Sequence, residues 1–185
     1  MSRLRIFSEQ DGQTAIFAAS DHAEIARKLA SYGVLFERWE ATDSVAAGDT
    51  EAQVLAAYGA DIARLKAAGG YQAVDVVSLT PSHPQKAALR QKFLDEHTHS
   101  EDEVRFFVAG SGLFSLHLGA EVLEVLCEKG DLISVPSGTR HWFDMGPEPS
   151  FVAIRLFTNP AGWVANFTGQ DIAQRFPRYE VGQAR

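Results

Sequence analysis

The sequence has few features that could cross-link or anchor a chain. Cys127 is its single cysteine, so no internal disulfide can form, which fits a reducing compartment. The opening MSRLRIFSEQDGQ has no apolar segment of signal-peptide type, and no run approaches the ~20 apolar residues that span a bilayer. We therefore expect a cytoplasmic protein with no membrane partner.

Basic residues are also scarce. The 17 lysines and arginines stand against 24 acidic residues, a formal net charge of −7. No Lys/Arg-rich run could follow a phosphate backbone, so nucleic acid is not an expected partner. Internal repeats and low-complexity tracts are absent as well. A chain of 185 residues can bury a substantial core, and we expect one domain over residues 1–185, with a monomer as the simplest state.

Helix signals dominate the first half. They predict three helices, over about residues 21–32, 50–67 and 84–94. Asp21 and Glu24 form a capping-box pattern, and Pro84 suits the first turn of the third helix. Gly59 is a weak point in the second.

From Glu96 onward, short segments rich in β-branched and aromatic residues alternate with Gly- or Pro-containing turns. The predicted strands are Val104–Val108, Leu113–Leu118, Val122–Cys127, Asp131–Val135, His141–Asp144 and Phe151–Phe157, with Val34–Trp39 and Ala73–Leu79 as further candidates. This pattern favours a mostly β fold, an antiparallel sandwich or barrel with helices packed outside it. Residues 1–95 would form a leader of helices and strands, 96–158 the core, and residues after about Ile172 a surface tail.

The segment His97-Thr-His99-Ser-Glu-Asp-Glu103 is the most informative stretch. Alternate side chains of an extended chain share a face, so His97 and His99 point the same way, and Glu103 has their parity. A second segment, GDLISVPSGTRH, can return His141 to the same place through a turn set by glycine and proline. Three imidazoles and a carboxylate suit Fe, Ni, Co, Mn or Zn and leave open positions for a chelating substrate.

Arg105 lies two residues beyond Glu103 on the same predicted strand. Shared parity predicts that its cation faces the metal cavity, where it could stabilise an anionic substrate. The alternative is a surface salt bridge, because parity can slip at a bulged edge.

The other histidines, His22, His83 and His117, have no comparable neighbours in the sequence. We interpret them as ordinary residues, and we expect loss of the His117 side chain to leave metal content unchanged.

The two segments resemble the paired motifs of the cupin superfamily. The matching pattern is HxH, three residues, Glu103, six residues, Gly110; then Gly130, five residues, Pro136, Ser, Gly138, two residues, His141. Met145 stands where many cupins have Asn, which is not a ligand. More narrowly, EHTHSEDEVRFFVAGSGLFSLHL and GDLISVPSGTRHWFDMG resemble the acireductone dioxygenases, as do the NPAGWVANFTG stretch and the leader ending in KFLDEH.

The resemblance implies a cupin-type, jelly-roll-like antiparallel β-barrel that holds one Fe(2+) or Ni(2+) per chain. It implies an oxidoreductase of methionine salvage that cleaves the acireductone 1,2-dihydroxy-5-(methylthio)pent-1-en-3-one with O2. The iron form would give formate and 4-methylthio-2-oxobutanoate. The nickel form would give formate, carbon monoxide and 3-(methylthio)propanoate.

The resemblance also implies roles for individual residues. Arg105 would be catalytic; the substrate-binding candidates are Arg155, Phe93, Phe107, Phe143 and Trp163. Core packing is the alternative for the aromatic residues. Glu96 and Asp102 would act in metal loading or conformational response, although Glu101 and Asp102 also fit a solvated acidic turn.

Two other functions remain open at this point. One is a different metal-dependent cupin enzyme, such as an isomerase, a quercetinase or a cysteine dioxygenase. The other is a cupin that binds metal without catalysis.

Overall fold

The computed structural model describes residues 1–41, 45, 49–159 and 164–180. Strands predominate in it. The elements are β1 Arg3–Ser8, β2 Asp11–Ala19, α1 His22–Ala30, β3 Leu35–Arg38, α2 Glu51–Ala57, α3 Gly59–Gly69, β4 Ala73–Leu79, α4 Lys86–Leu94, β5 His97–Thr98, β6 Glu103–Leu118, β7 Glu121–Glu128, β8 Asp131–Val135, β9 Arg140–Asp144, β10 Phe151–Phe157, β11 Asn166–Phe167 and a 3-10 helix, Ile172–Arg175.

The long strand β6 belongs to two antiparallel sheets. Its first part pairs with β8 and β10, which gives the order β3-β8-β6-β10-β4. Its second part pairs with β7 and β9 in the order β11-β5-β9-β6-β7-β1-β2. The expected mostly β, antiparallel fold with external helices is confirmed, although the hydrogen-bonded strand order of the described residues does not close into a complete barrel.

Gly110 marks the point where β6 passes from one sheet to the other. Its φ is +72°, and a Cβ there would overlap the carbonyl oxygen of Ser150. In the pairing with β10, Val152 faces Ala109 but Ala153 faces Phe107, so β6 carries one extra residue, Val108, two positions before Gly110. A glycine and a bulge, both in β6, therefore provide the bend that lets one strand belong to both sheets.

Strand alternation divides the core between the inner and outer faces of the sheets. Phe107 belongs to the apolar cluster inside. Its neighbour Phe106 faces outward, stacks on Trp39 and packs against the tilted ring of Tyr58, with ring centroids 4.9 and 4.6 Å away. The helices α2 and α3 cover this outer surface with Val54, Ala57, Ile62 and Leu65.

The helix predictions hold with two changes, of which the first is that α4 begins at Lys86, so Pro84 lies in the turn before the helix and not in its first turn. The Asp21 side chain accepts a hydrogen bond from the Glu24 backbone nitrogen and caps α1, as expected. The region expected as a single helix over 50–67 forms two helices. The first, α2, ends at Ala57, and the second, α3, begins at Gly59, with Tyr58 between them. None of the helices in the described residues is long and apolar enough to cross a membrane.

Both ends of the described chain differ from expectation. The hairpin β1–β2 was not predicted, and β1 pairs with β7. The prediction of a surface tail after Ile172 is wrong, because Ile172, Ala173 and Phe176 are buried. They cover the outward-facing apolar residues Phe7, Val122 and Trp142, which would otherwise be exposed to water.

Candidate metal centre

Four potential metal ligands meet between the inner faces of the two sheets, because Glu103 comes from the sheet that contains β8, and His97 and His141 come from the sheet that contains β5 and β9. His97 lies on β5, Glu103 begins β6, His141 lies on β9, and His99 follows β5. One ligand atom from each lies within 4.8 Å of the others, and all four residues are buried. His97 and His141 are direct partners in the β5–β9 register. The structure therefore brings together the whole set that the sequence predicted.

Backbone carbonyls orient all three imidazoles. The Nδ1 atoms of His97, His99 and His141 lie 2.7, 2.8 and 2.7 Å from the carbonyl oxygens of Asp95, Val164 and Thr139, respectively. A carbonyl only accepts, so each Nδ1 carries the proton and each Nε2 keeps its lone pair for a metal. The three carbonyl partners leave no signal in the sequence, because any residue type can supply them.

The spacing of the ligand atoms also fits an ion. Oε2 of Glu103 lies 3.0 Å from Nε2 of His141 and 3.2 Å from Nε2 of His99. Two ligands about 2.1 Å from one ion and at right angles would be about 3.0 Å apart. The donor set and its spacing therefore fit one divalent transition metal.

The charges of the cluster match this chemistry. Burial would raise the pKa of Glu103, but Arg105, His141 and His99 together hold that pKa well below its usual value. Burial, aided by His141, lowers the pKa of His97 to about 4. Burial would also lower the pKa of His99, but the hydrogen bond and charge of Glu103 outweigh it and raise that pKa. A carboxylate and a neutral His97 imidazole at neutral pH are the forms that bind metal.

Arg105 lies beside the cluster, buried at 7% exposure. Its Nη2 donates to Oε1 of Glu103 at 2.8 Å, and the guanidinium lies 4.5 Å from the Phe143 ring centroid. Burial lowers the pKa of Arg105. The predicted strand register is confirmed, and the alternative of a surface salt bridge is wrong.

Arg155 pairs with Arg105 across β10 and β6, so the two side chains share a face. Its guanidinium donates twice to the Asp75 carboxylate, at 2.9 and 2.7 Å. Asp75 lies on β4 and was not predicted, because nothing in its local sequence points to Arg155, 80 residues away. A role for Arg155 in substrate binding stays a prediction.

The aromatic candidates differ in position. Phe107 and Phe143 are buried in the inner core, with ring centroids 6.5 Å apart. Phe93, on α4, is partly buried and packs against the same core. Trp163 lies outside the described residues. Contact of these rings with substrate stays a prediction.

The loop between β5 and β6 is not the solvated acidic turn that was expected. Oε2 of Glu101 accepts from the Thr158 hydroxyl at 2.7 Å and from the Asn159 backbone at 2.9 Å. Oδ1 of Asp102 accepts from the Ser137 backbone at 2.9 Å. Both carboxylates are partly buried and tie this loop to its neighbours.

Glu96 and His117 lie on the outer face, behind the cluster. Nδ1 of His117 is 2.6 Å from Oε1 of Glu96, and the Thr168 hydroxyl donates to Oε2 of Glu96 at 2.7 Å. His117 is therefore not the ordinary strand residue that its sequence context suggested. Strand alternation could predict only that it faces away from the core.

Known proteins have sequences similar to this chain over nearly its whole length. The chain matches the model of the ARD/ARD' family over residues 3–165. It is 60% identical over 184 residues to an acireductone dioxygenase of Stenotrophomonas maltophilia, covering 100% of both chains. It is 61% identical over 180 residues to an acireductone dioxygenase of Marinobacter nauticus, covering 97% of each.

A solved structure is also similar. It is that of an acireductone dioxygenase from Bacillus anthracis with a cadmium ion in its active centre. The TM-score is 0.78 at 33% identity, and the match covers 90% of this chain and 98% of that one.

Proposed function

The chain belongs to the ARD/ARD' family of acireductone dioxygenases, oxidoreductases with a cupin-type fold, and from that premise we propose that it cleaves 1,2-dihydroxy-5-(methylthio)pent-1-en-3-one with O2 in methionine salvage. The observation that carries the proposal is the buried cluster of His97, His99, Glu103 and His141, in which one ligand atom from each residue lies within 4.8 Å of the others. Family membership removes the two alternatives left open by the motifs, a different cupin enzyme and a non-catalytic cupin.

One Fe(2+) or Ni(2+) per chain is the proposed cofactor. Imidazole nitrogen and carboxylate oxygen suit both ions, so availability decides between them. When bound, the ion supplies a Lewis acid with open positions at which an ene-diol can chelate. The carbonyl partners of the three Nδ1 atoms hold the rings in place for this task.

The remaining residues have proposed roles toward the substrate. Arg105, buried beside Glu103, would hold the negative charge of the deprotonated ene-diol. Arg155 shares its face and would add to the positive potential there. Phe93, Phe107, Phe143 and Trp163 would enclose the thioether tail and exclude water. Glu96 and Asp102 would act in metal loading or conformational response.

The organisation of the chain completes the proposal. We take residues 1–185 as one domain that acts in the cytoplasm as a monomer, with 96–158 as the metal-binding core. The support is that strands β3 and β4 of the leader pair with β8 and β10 of the core.

Metal exchange tests the proposal. The chain is stripped of metal, reloaded anaerobically with Fe(II) or Ni(II), and mixed with acireductone and O2. We expect formate from both forms, 4-methylthio-2-oxobutanoate from the iron form, and carbon monoxide with 3-(methylthio)propanoate from the nickel form. If neither form consumed O2, or both released carbon monoxide in equal yield, the proposed activity would be wrong.

A further inference from the structure

A chain of polar side chains lies directly behind the metal cluster. His97 pairs with His141 on the inner face, so Glu96, which precedes His97, faces the other way. His117 faces outward too, yet Glu96 and His117 are only 1% and 5% exposed. The third member is Glu9, in the turn between β1 and β2. We call these three residues, Glu96, His117 and Glu9, the outer relay.

Both ring nitrogens of His117 are used in the outer relay. Nδ1 lies 2.6 Å from Oε1 of Glu96, and Nε2 lies 3.0 Å from Oε2 of Glu9. Carboxylates only accept, so the ring satisfies both when both nitrogens carry protons. One imidazole therefore links the N-terminal hairpin to the residue that precedes a metal ligand.

Glu9 is itself fixed to the sheet. Its backbone nitrogen donates to the Ala120 carbonyl at 2.8 Å, which joins the β1–β2 turn to the turn between β6 and β7. Its side chain is 34% exposed, so it forms the solvent end of the relay.

Thr168 binds both the side chain and the backbone of Glu96. The Thr168 hydroxyl donates to Oε2 at 2.7 Å, and the Thr168 backbone nitrogen donates to the Glu96 carbonyl at 3.0 Å. The strand that follows, β5, is only two residues long, His97–Thr98. So short a strand makes few ladder hydrogen bonds, and its position depends on the anchoring of Glu96.

We propose that His117, held by Glu9, is a positioning residue for the metal ligand His97. It fixes the buried Glu96 carboxylate and so sets where β5 presents Nε2 of His97. The inference rests on the proposed function, in which His97 binds the metal. It replaces the expectation that loss of the His117 side chain leaves metal binding unchanged.

Co(II) binding to the full chain tests the relay. His117→Phe keeps a ring of similar size and removes both hydrogen bonds, whereas His117→Gln retains a donor toward Glu96. We expect His117→Phe to lower Co(II) affinity about tenfold and to change the visible absorption of bound Co(II), as for other groups that orient ligands from behind. His117→Gln should recover most of both. Affinity is measured by competition with a chelator.

Two further variants give the matched controls. His83, whose ring accepts from the Gln85 backbone in the turn before α4, should bind Co(II) like the parent as His83→Gln. Glu9→Gln alters only the partly exposed end of the relay and should fold even if His117→Phe does not. It should weaken Co(II) binding about threefold, since the link it loosens is one step further from the ligand.

The outcomes separate the relay from the proposed function. Unchanged affinity and spectrum in both His117→Phe and Glu9→Gln, or a lower thermal midpoint with unchanged affinity, would overturn the positioning role. The proposed function would stand in that case. If His97→Ala bound Co(II) as tightly as the parent, His97 would not be a metal ligand, and the ligand set on which the proposed function rests would be wrong.

Discussion

The inner and outer faces of the sheets around β5, β9 and β6 carry different kinds of polar site. On the inner face, His97, His99 and Glu103 come from a single stretch of seven residues, and His141 joins them from the next motif. On the outer face, the relay joins Glu96 to His117, 21 residues away, and His117 to Glu9, 108 residues away. The inner site therefore depends mainly on local spacing, and the outer one on the fold as a whole.

The difference indicates that the inner and outer faces have different roles. Inner side chains would contact the ion, while outer ones fix the backbone that carries them. Beside the relay, an apolar cluster covers part of the outer face, where Trp142 packs on Phe176 with ring centroids 5.8 Å apart. Variants on each face can therefore separate metal binding, positioning and stability.

Removing an inner ligand should have the largest effect. We expect His97→Ala, His99→Ala or His141→Ala to lower bound metal and abolish turnover, because a lost ligand weakens the chelate and distorts the open positions. Elemental analysis and an O2-consumption assay measure the two effects. Full occupancy with a normal rate would remove that residue from the site.

Removing the apolar cover of the outer face should affect stability instead. Phe176 is 3% exposed, and Phe176→Ala should reduce the free energy of unfolding by about 3 kcal/mol through lost burial and a cavity. Urea denaturation measures the change. Metal affinity should stay within about twofold of the parent, since no ligand or relay residue is altered. A tenfold loss of affinity would show that the two faces are not separable.

Removing the positive charge of Arg105 should affect turnover without affecting metal content. A charge-assisted hydrogen bond in a partly dry cavity contributes about 1.5–3 kcal/mol, so Arg105→Met should slow turnover or weaken substrate binding by roughly ten- to a hundredfold. Steady-state kinetics with parallel metal analysis measures this.

Arg105→Lys provides the control, since it keeps the charge and loses the planar fork. Partial recovery would show that charge matters more than geometry. Turnover of the Met variant at the parent rate would exclude Arg105 from catalysis.

The smallest expected effect lies away from both faces. Asp21→Ala removes the side-chain cap of α1 and should cost about 1 kcal/mol of stability. Thermal unfolding measures it, and metal affinity should not change. A change in affinity would mean that α1 contributes to the site.

The cluster of candidate metal ligands was predictable because its signal is local. Parity and spacing place His97, His99 and Glu103 on one side of an extended segment, and the same rule places Arg105 beside them. The hairpin β1–β2 was missed although Arg3, Leu4, Arg5 and Ile6 alternate as a strand should. Its partner β2 is mostly exposed and has no such alternation.

The outer relay and the covered C-terminal segment were beyond prediction for another reason. Their partners are brought together only by the sheet, as with Phe176 and Phe7, whose ring centroids are 6.0 Å apart. The bonds of Glu101 and Asp102 likewise depend on loops that follow β10 and β8. Local sequence shows such residues as polar or apolar but does not identify their partners.

Because β6 bends at Gly110 and belongs to both sheets, the candidate ligands come from both sheets as well. Glu103 lies in the part of β6 that pairs with β8, whereas His97 and His141 lie in the other sheet. An ion bound by all three would therefore cross-link the two sheets. It would add to the covalent link that the continuous strand β6 already provides. Separating the sheets would require breaking coordination bonds as well as hydrogen bonds, so metal binding and cooperative unfolding are thermodynamically linked.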